Sequence, residues 1–141
     1  LNQPLSTGVR LRALVTAAIV PPLLSLVSLQ RLAGYLGHSG WLAGSAGFDD
    51  GALAAWVDQL LYRWPGPWHR TCLNRSAILY HLLRAAGRGV ELRIGVRRDN
   101  QGQLAAHAWL TRGTVPYLEP EPAAPAEHTV IAVFPNTSAP A

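Results

Sequence analysis

Three residues of this 141-residue chain have the types and the order needed to cut a peptide bond through a thioester. They are Cys72, the only cysteine, His107 within Ala106-His107-Ala108-Trp109, and Glu119. Such cleavage needs a thiolate to attack the carbonyl, an imidazole to act as base and later protonate the leaving amine, and a carboxylate to fix the imidazole tautomer. A lone cysteine is more often a small buried hydrophobe than a nucleophile, so its placement matters. Upstream, Trp64-Pro65-Gly66-Pro67-Trp68 is barred from regular helix, because each proline lacks an amide donor and restricts its predecessor. A helix therefore starts near Cys72, carries Ser76, Leu79, Tyr80, Leu83 and Ala86 at three- and four-residue spacings, and stops at Gly87. The thiol falls on the first turn, where unpaired amides and the positive end of the helix dipole favour a thiolate.

The other two groups are carried by strands. After Gly87 the period becomes alternating, with Leu92, Ile94 and Val96 on one face of a strand over 90–96. Asp99-Asn100-Gln101-Gly102 is a turn signal, Gln103 to Leu110 returns as a second strand bearing His107, and Thr111 to Thr114 turns into a third over 115–118. This antiparallel meander must pack against the cysteine helix for thiol and imidazole to meet. Glu119 follows His107 by 12 residues, at the end of the adjacent strand, and Glu121 competes with it as the orienting carboxylate. The oxyanion formed on attack calls for donors. The Cys72 amide is one candidate, with Trp68, His69 or Arg70 as the source of a second. Arg75 is expected to contact a carboxylate of the core or of the substrate. His128 is expected at the surface, just ahead of a last strand over 129–134.

On these residues the sequence resembles a known family. Cys72-Leu73-x-Arg75-Ser76-x-x-Leu79-Tyr80-x-Leu82-Leu83-Arg84, then Leu92-Arg93-Ile94-Gly95-Val96-Arg97, then Ala106-His107-Ala108-Trp109 is similar to the transglutaminase-like cysteine peptidases of lasso peptide biosynthesis, over about Trp56 to Glu119. The resemblance implies a stand-alone leader peptidase with Cys72, His107 and the acid at Glu119 as its triad, although the family usually has Asp at that last position. It further implies a ribosomally made precursor peptide as substrate, a separate leader-binding partner protein, and a lactam synthetase that uses the freed amine. The fold it implies is α+β: N-terminal helices and the cysteine helix on a small antiparallel sheet, a transglutaminase-like or papain-like core.

Composition bounds the alternatives. Apolar residues make up 49% of the chain and charged ones 14%, so it folds and leaves apolar surface for a partner. The net charge of +4 comes from arginines scattered along the chain, without the basic-aromatic modules of nucleic-acid binders. An acidic peptide partner suits that charge better. A single cysteine excludes an internal disulfide and is compatible with the cytoplasm. The five histidines form no helical metal-binding pair, so neither metal nor cofactor is expected.

Ala13 to Leu29 is uncharged, and Pro21-Pro22 is expected to split it into two short apolar helices, each too short to span a bilayer. That leaves packing on the core, on a partner, or peripheral contact with a membrane. Residues 1–48 thus read as an apolar helical segment and a Gly/Ser-rich loop from Gly34 to Gly47, and 49–141 as the peptidase core. Asp49 or Asp50 should cap a helix to about Tyr62 with Ala52, Trp56, Leu60 and Leu53 facing inward. Trp56, Trp64 and Trp68 either fill core or wall a channel that keeps water from a thioester.

Overall fold

The helix that opens on Cys72 is the structural centre of the protein. In the computed structural model, which describes residues 5–26, 28, 31, 34, 48–66, 71–121 and 123–135, it runs Cys72–Ala85. Thr71 caps it, its Oγ1 accepting the Asn74 amide at 3.0 Å. It stops as the sequence predicts: Gly87, at φ +86°, donates its amide to the Arg84 carbonyl, and the Arg88 amide bonds back to Leu83. Those are the two bonds of a Schellman motif, and they require the left-handed residue that glycine supplies. Asn74 to Tyr80 are buried without a break, followed by Leu82, Leu83 and Ala85. A helix buried on every side needs packing partners all round. Truncating one of its leucines would cost roughly 2–5 kcal/mol by the usual cavity cost.

Those partners are two helices and a sheet. We number the elements in chain order: α1 Thr7–Leu26, α2 Asp50–Arg63, α3 Cys72–Ala85, β1 Val90–Arg98, β2 Leu104–Arg112, β3 Val115–Tyr117, α4 Ala124–Glu127 and β4 Thr129–Phe134. α1 is a single helix with Pro21 and Pro22 inside it, which corrects the expectation of two short ones. Each proline costs about 3 kcal/mol in a helix interior. Burial of Val9, Ala13, Ala17, Val20 and Pro21 against the core offsets that cost. The continuous helix is long and apolar enough to cross a membrane, yet one face of it is packed inside the protein. Leu11, Val15, Ile19 and Leu26 remain exposed. The Gly34 to Gly47 stretch, apart from Gly34, lies outside the described residues.

α2 has Asp49 as its N-cap, Oδ2 accepting the Ala52 amide at 2.8 Å. Its buried stripe is Leu53, Ala54, Val57 and Leu61. Of the four residues expected to face inward only Leu53 is fully buried, and Ala52, Trp56 and Leu60 flank the stripe half-buried. Asp50, in the first turn, accepts the Tyr117 hydroxyl at 2.5 Å and the Arg88 Nε at 3.1 Å. One carboxylate thus ties the start of α2 to the end of α3 and to β3.

The sheet has the order β3-β2-β1-β4, every neighbour antiparallel. β1, β2 and β3 form the expected meander, and β4 returns to pair with the far edge of β1. The first turn is held by Asp99, whose Oδ1 accepts the amides of Gln101 and Gln103. Leu92, Ile94, Ala108 and Leu110 lie on the face toward the helices. By strand alternation His107, Trp109 and Thr111 share the opposite face, where Arg93 Nε donates to Thr111 Oγ1 at 3.1 Å.

Tyr80 is fully buried, and its hydroxyl has no hydrogen-bond partner among the described residues. Burial raises its pKa above the usual 10, with the nearby Arg84 charge opposing and that of Glu91 adding. The neutral form is therefore favoured in the folded state, and its contribution to stability is present below pH 10 and lost as pH rises beyond it. Tyr80→Phe removes the unsatisfied group and keeps the ring. It is expected to raise stability by about 1 kcal/mol at neutral pH and to lessen the decline above pH 10, both read from thermal melts.

Candidate active site

Cys72, half-buried, is the first residue of α3, where helix amides have no intrahelical acceptor. One turn on, Ser76 donates its hydroxyl to the Ala108 carbonyl at 3.1 Å in the buried seam between α3 and β2. A bond of that kind is worth about 1 kcal/mol, and it fixes where the start of α3 sits along β2, beside His107. Cys72, Arg75, Ser76, His107, Glu119 and Glu121 line one open pocket. The thiol, the imidazole and both candidate carboxylates thus border one pocket, although His107 lies on the sheet face away from α3.

His107 is 9% exposed. Its Nε2 lies 3.3 Å from Glu119 Oε2. A carboxylate oxygen accepts, which assigns the ring proton to Nε2 and leaves Nδ1 facing away from Glu119. The second Glu119 oxygen accepts the Glu121 amide at 3.0 Å. Strand alternation alone would place both glutamates on one side. The strand, however, ends at Tyr117, and Leu118 takes a left-handed conformation at φ +56°. The chain bends there and aims Glu119 at the ring, while Glu121 stays exposed on the pocket rim. Left-handed backbone costs a leucine roughly 1–2 kcal/mol.

The walls of the imidazole are aromatic. Trp109 stacks on it with centroids 5.8 Å apart and planes at 19°, and His128 lies 5.4 Å away at 32°. His128 is therefore half-buried against His107, which corrects the surface position expected for it. α4 makes this possible: its Ala124 carbonyl lies 2.6 Å from His128 Nδ1 and accepts its proton. The sequence carried no helical signal there, only a Pro- and Ala-rich run. Gly95, the cross-strand partner of His107, leaves the room. A Cβ on it would sit 2.8 Å from both the His128 Cβ and the Trp109 ring. Only glycine permits that approach.

Arg75 contacts a carboxylate of the core: its Nε donates to Asp58 Oδ1 at 2.7 Å and its Nη2 to the Leu118 carbonyl at 2.8 Å. Trp68, His69 and Arg70, the proposed sources of a second oxyanion donor, lie outside the described residues. Trp56 and Trp64 are half-buried against the core. Among the described residues no group of three or more His, Cys, Asp or Glu is arranged to hold a metal.

A family model of the transglutaminase-like superfamily matches residues 13–133, most of the chain. The protein belongs to the transglutaminase-like superfamily. Its helices and four-stranded antiparallel sheet form the α+β core expected of that superfamily. The match begins within α1, so the apolar N-terminal helix lies largely inside the family region. Neither a curated protein nor a solved structure matches the chain significantly. The superfamily contains cysteine peptidases and transglutaminases, and the site is compatible with either chemistry.

The hydrogen bond between His107 and Glu119 has a direct spectroscopic readout. A downfield imidazole N–H proton resonance is expected in the wild-type protein, lost in Glu119→Gln and retained in Glu121→Gln. Loss in Glu121→Gln alone would assign the orienting acid to the wrong glutamate.

Proposed function

We propose that the protein is a cysteine peptidase that removes the leader from a ribosomally synthesised lasso peptide precursor, with Cys72 as nucleophile, His107 as general base and acid, and Glu119 orienting His107. The observation that carries the catalytic part is the pocket that Cys72 shares with a His107 ring bonded to Glu119. The substrate rests on the likeness of the Cys72, Ile94-Gly95-Val96 and His107 motifs to the lasso leader peptidases.

In this reading His107 Nδ1 accepts the thiol proton and the Cys72 sulfur attacks the carbonyl of the residue before the cut. The resulting oxyanion is met by the Cys72 amide at the start of α3. The carbon–nitrogen bond then breaks as His107 passes its proton to the leaving amine, the new N-terminus of the core peptide. Water, deprotonated by the same nitrogen, attacks the thioester. The carbon–sulfur bond breaks, the leader leaves with a free carboxylate, and the thiol is restored. Glu119 holds the Nε2 proton throughout and steadies the imidazolium.

The amine so released is what an ATP-dependent lactam synthetase would join to an acidic side chain, and in this reading both work in the cytoplasm. A separate leader-binding protein would deliver the precursor, and the exposed stripe of Leu11, Val15, Ile19 and Leu26 on α1 is the surface we assign to it. Acyl transfer is the second reading, since the superfamily supports it on the same thioester. Purified protein with its leader-binding partner is expected to split the precursor into leader and core, the leader carrying a free carboxylate by mass. Cys72→Ala should abolish this. Cleavage that persists in Cys72→Ala ends the proposal, and a leader bearing an added group would make the protein a transferase.

A further inference from the structure

We infer that Arg75 is the positioning residue of this site: braced by Asp58, it holds the Leu118 carbonyl and so keeps Glu119 turned toward His107. The inference rests on the triad reading above and adds a residue to it.

Arg75 is only 6% exposed. Its two bonds run in different directions, one to Asp58 on α2 and one to the carbonyl of Leu118, the residue directly before Glu119. It also stands three residues after Cys72 on α3, so one side chain links the nucleophile's helix to the carboxylate's segment. The bond to Leu118 falls where the backbone is most in need of restraint. Leu118 adopts φ +56° without being glycine, a conformation that persists only when the surroundings enforce it. Relaxation of Leu118 would swing the next side chain, Glu119, away from an imidazole it reaches at 3.3 Å.

A guanidinium suits this task because its planar fork directs two donors in fixed relation, and Asp58 sets the plane of that fork. Lysine keeps the charge and loses the geometry. The role is distinct from binding substrate or oxyanion, which would depend on Arg75 but not on Glu119.

The test reads the His107 N–H resonance and turnover together. Arg75→Lys is expected to lose the downfield resonance that Glu119→Gln loses, while the far-UV spectrum and the amide shifts of β1 and β2 stay those of the folded protein. Asp58→Asn, a milder change outside the pocket, should weaken or shift the same resonance and serves where Arg75→Lys fails to fold. In precursor cleavage Arg75→Lys should lower kcat on the order of 100-fold, the usual cost of ångström-scale misplacement, with KM unchanged. The Arg75→Lys/Glu119→Gln double variant should be no slower than Glu119→Gln alone. A resonance that survives in folded Arg75→Lys or is untouched in Asp58→Asn, or two substitutions whose effects multiply, overturns the inference. If the wild type fails to cleave any precursor, the peptidase reading falls, while the resonance still decides what Arg75 does.

Discussion

A helix buried along its whole shaft can present a reactive group only at an end, and α3 is such a helix. Asn74 to Tyr80 are sealed by α1, α2 and the sheet, while Cys72 at its start opens on the pocket. The Ser76 bond to Ala108 then fixes where that end lies relative to β2. Cys72 and His107 are thus held by the same packing that holds the fold. Exposing that end costs little, because the exposed turn is the one whose amides lack partners within the helix.

The third group is held differently. Glu119 belongs to a segment that leaves the sheet after three residues of β3, and short edge strands are weakly anchored. Two carboxylates of α2 compensate. Asp50 takes the Tyr117 hydroxyl and the Arg88 guanidinium, and Asp58 takes Arg75, which bonds Leu118. α2 is in effect a rail to which consecutive residues ahead of Glu119 are pinned. Buried or half-buried ion pairs of this sort contribute little net stability, yet removing one partner costs roughly 3–5 kcal/mol because the other is left uncompensated. They are well suited to fixing geometry in a chain where only 14% of residues are charged.

What could be read from the sequence followed from local chemistry. Prolines ahead of Cys72 and Gly87 after it delimit α3, alternation and the Asp99 to Gly102 turn mark β1 and β2, and Thr129 to Phe134 is a strand in both readings. Glu119 was legible as a neighbour of His107 because a tight turn after β2 leaves few other places for it. What could not be read depends on tertiary packing. Pro21 and Pro22 break helices on propensity, and only burial of one face of α1 overrides that. The inward stripe of α2 is displaced because the helix packs on both α1 and α3. His128 has no local pattern that betrays its place beside His107; that place exists because Gly95 has no side chain and a four-residue helix turns the chain back. The left-handed Leu118, which separates Glu119 from Glu121, likewise has no signature in a leucine.

Whether thiol and imidazole act as a unit is tested directly by the rate at which iodoacetamide alkylates Cys72 in the wild type and in His107→Asn. Near neutral pH the wild-type sulfur is expected to react faster than a free cysteine, and His107→Asn is expected to slow it toward the free-thiol rate. Equal rates in the two proteins, with both folded, would show that His107 does not activate Cys72.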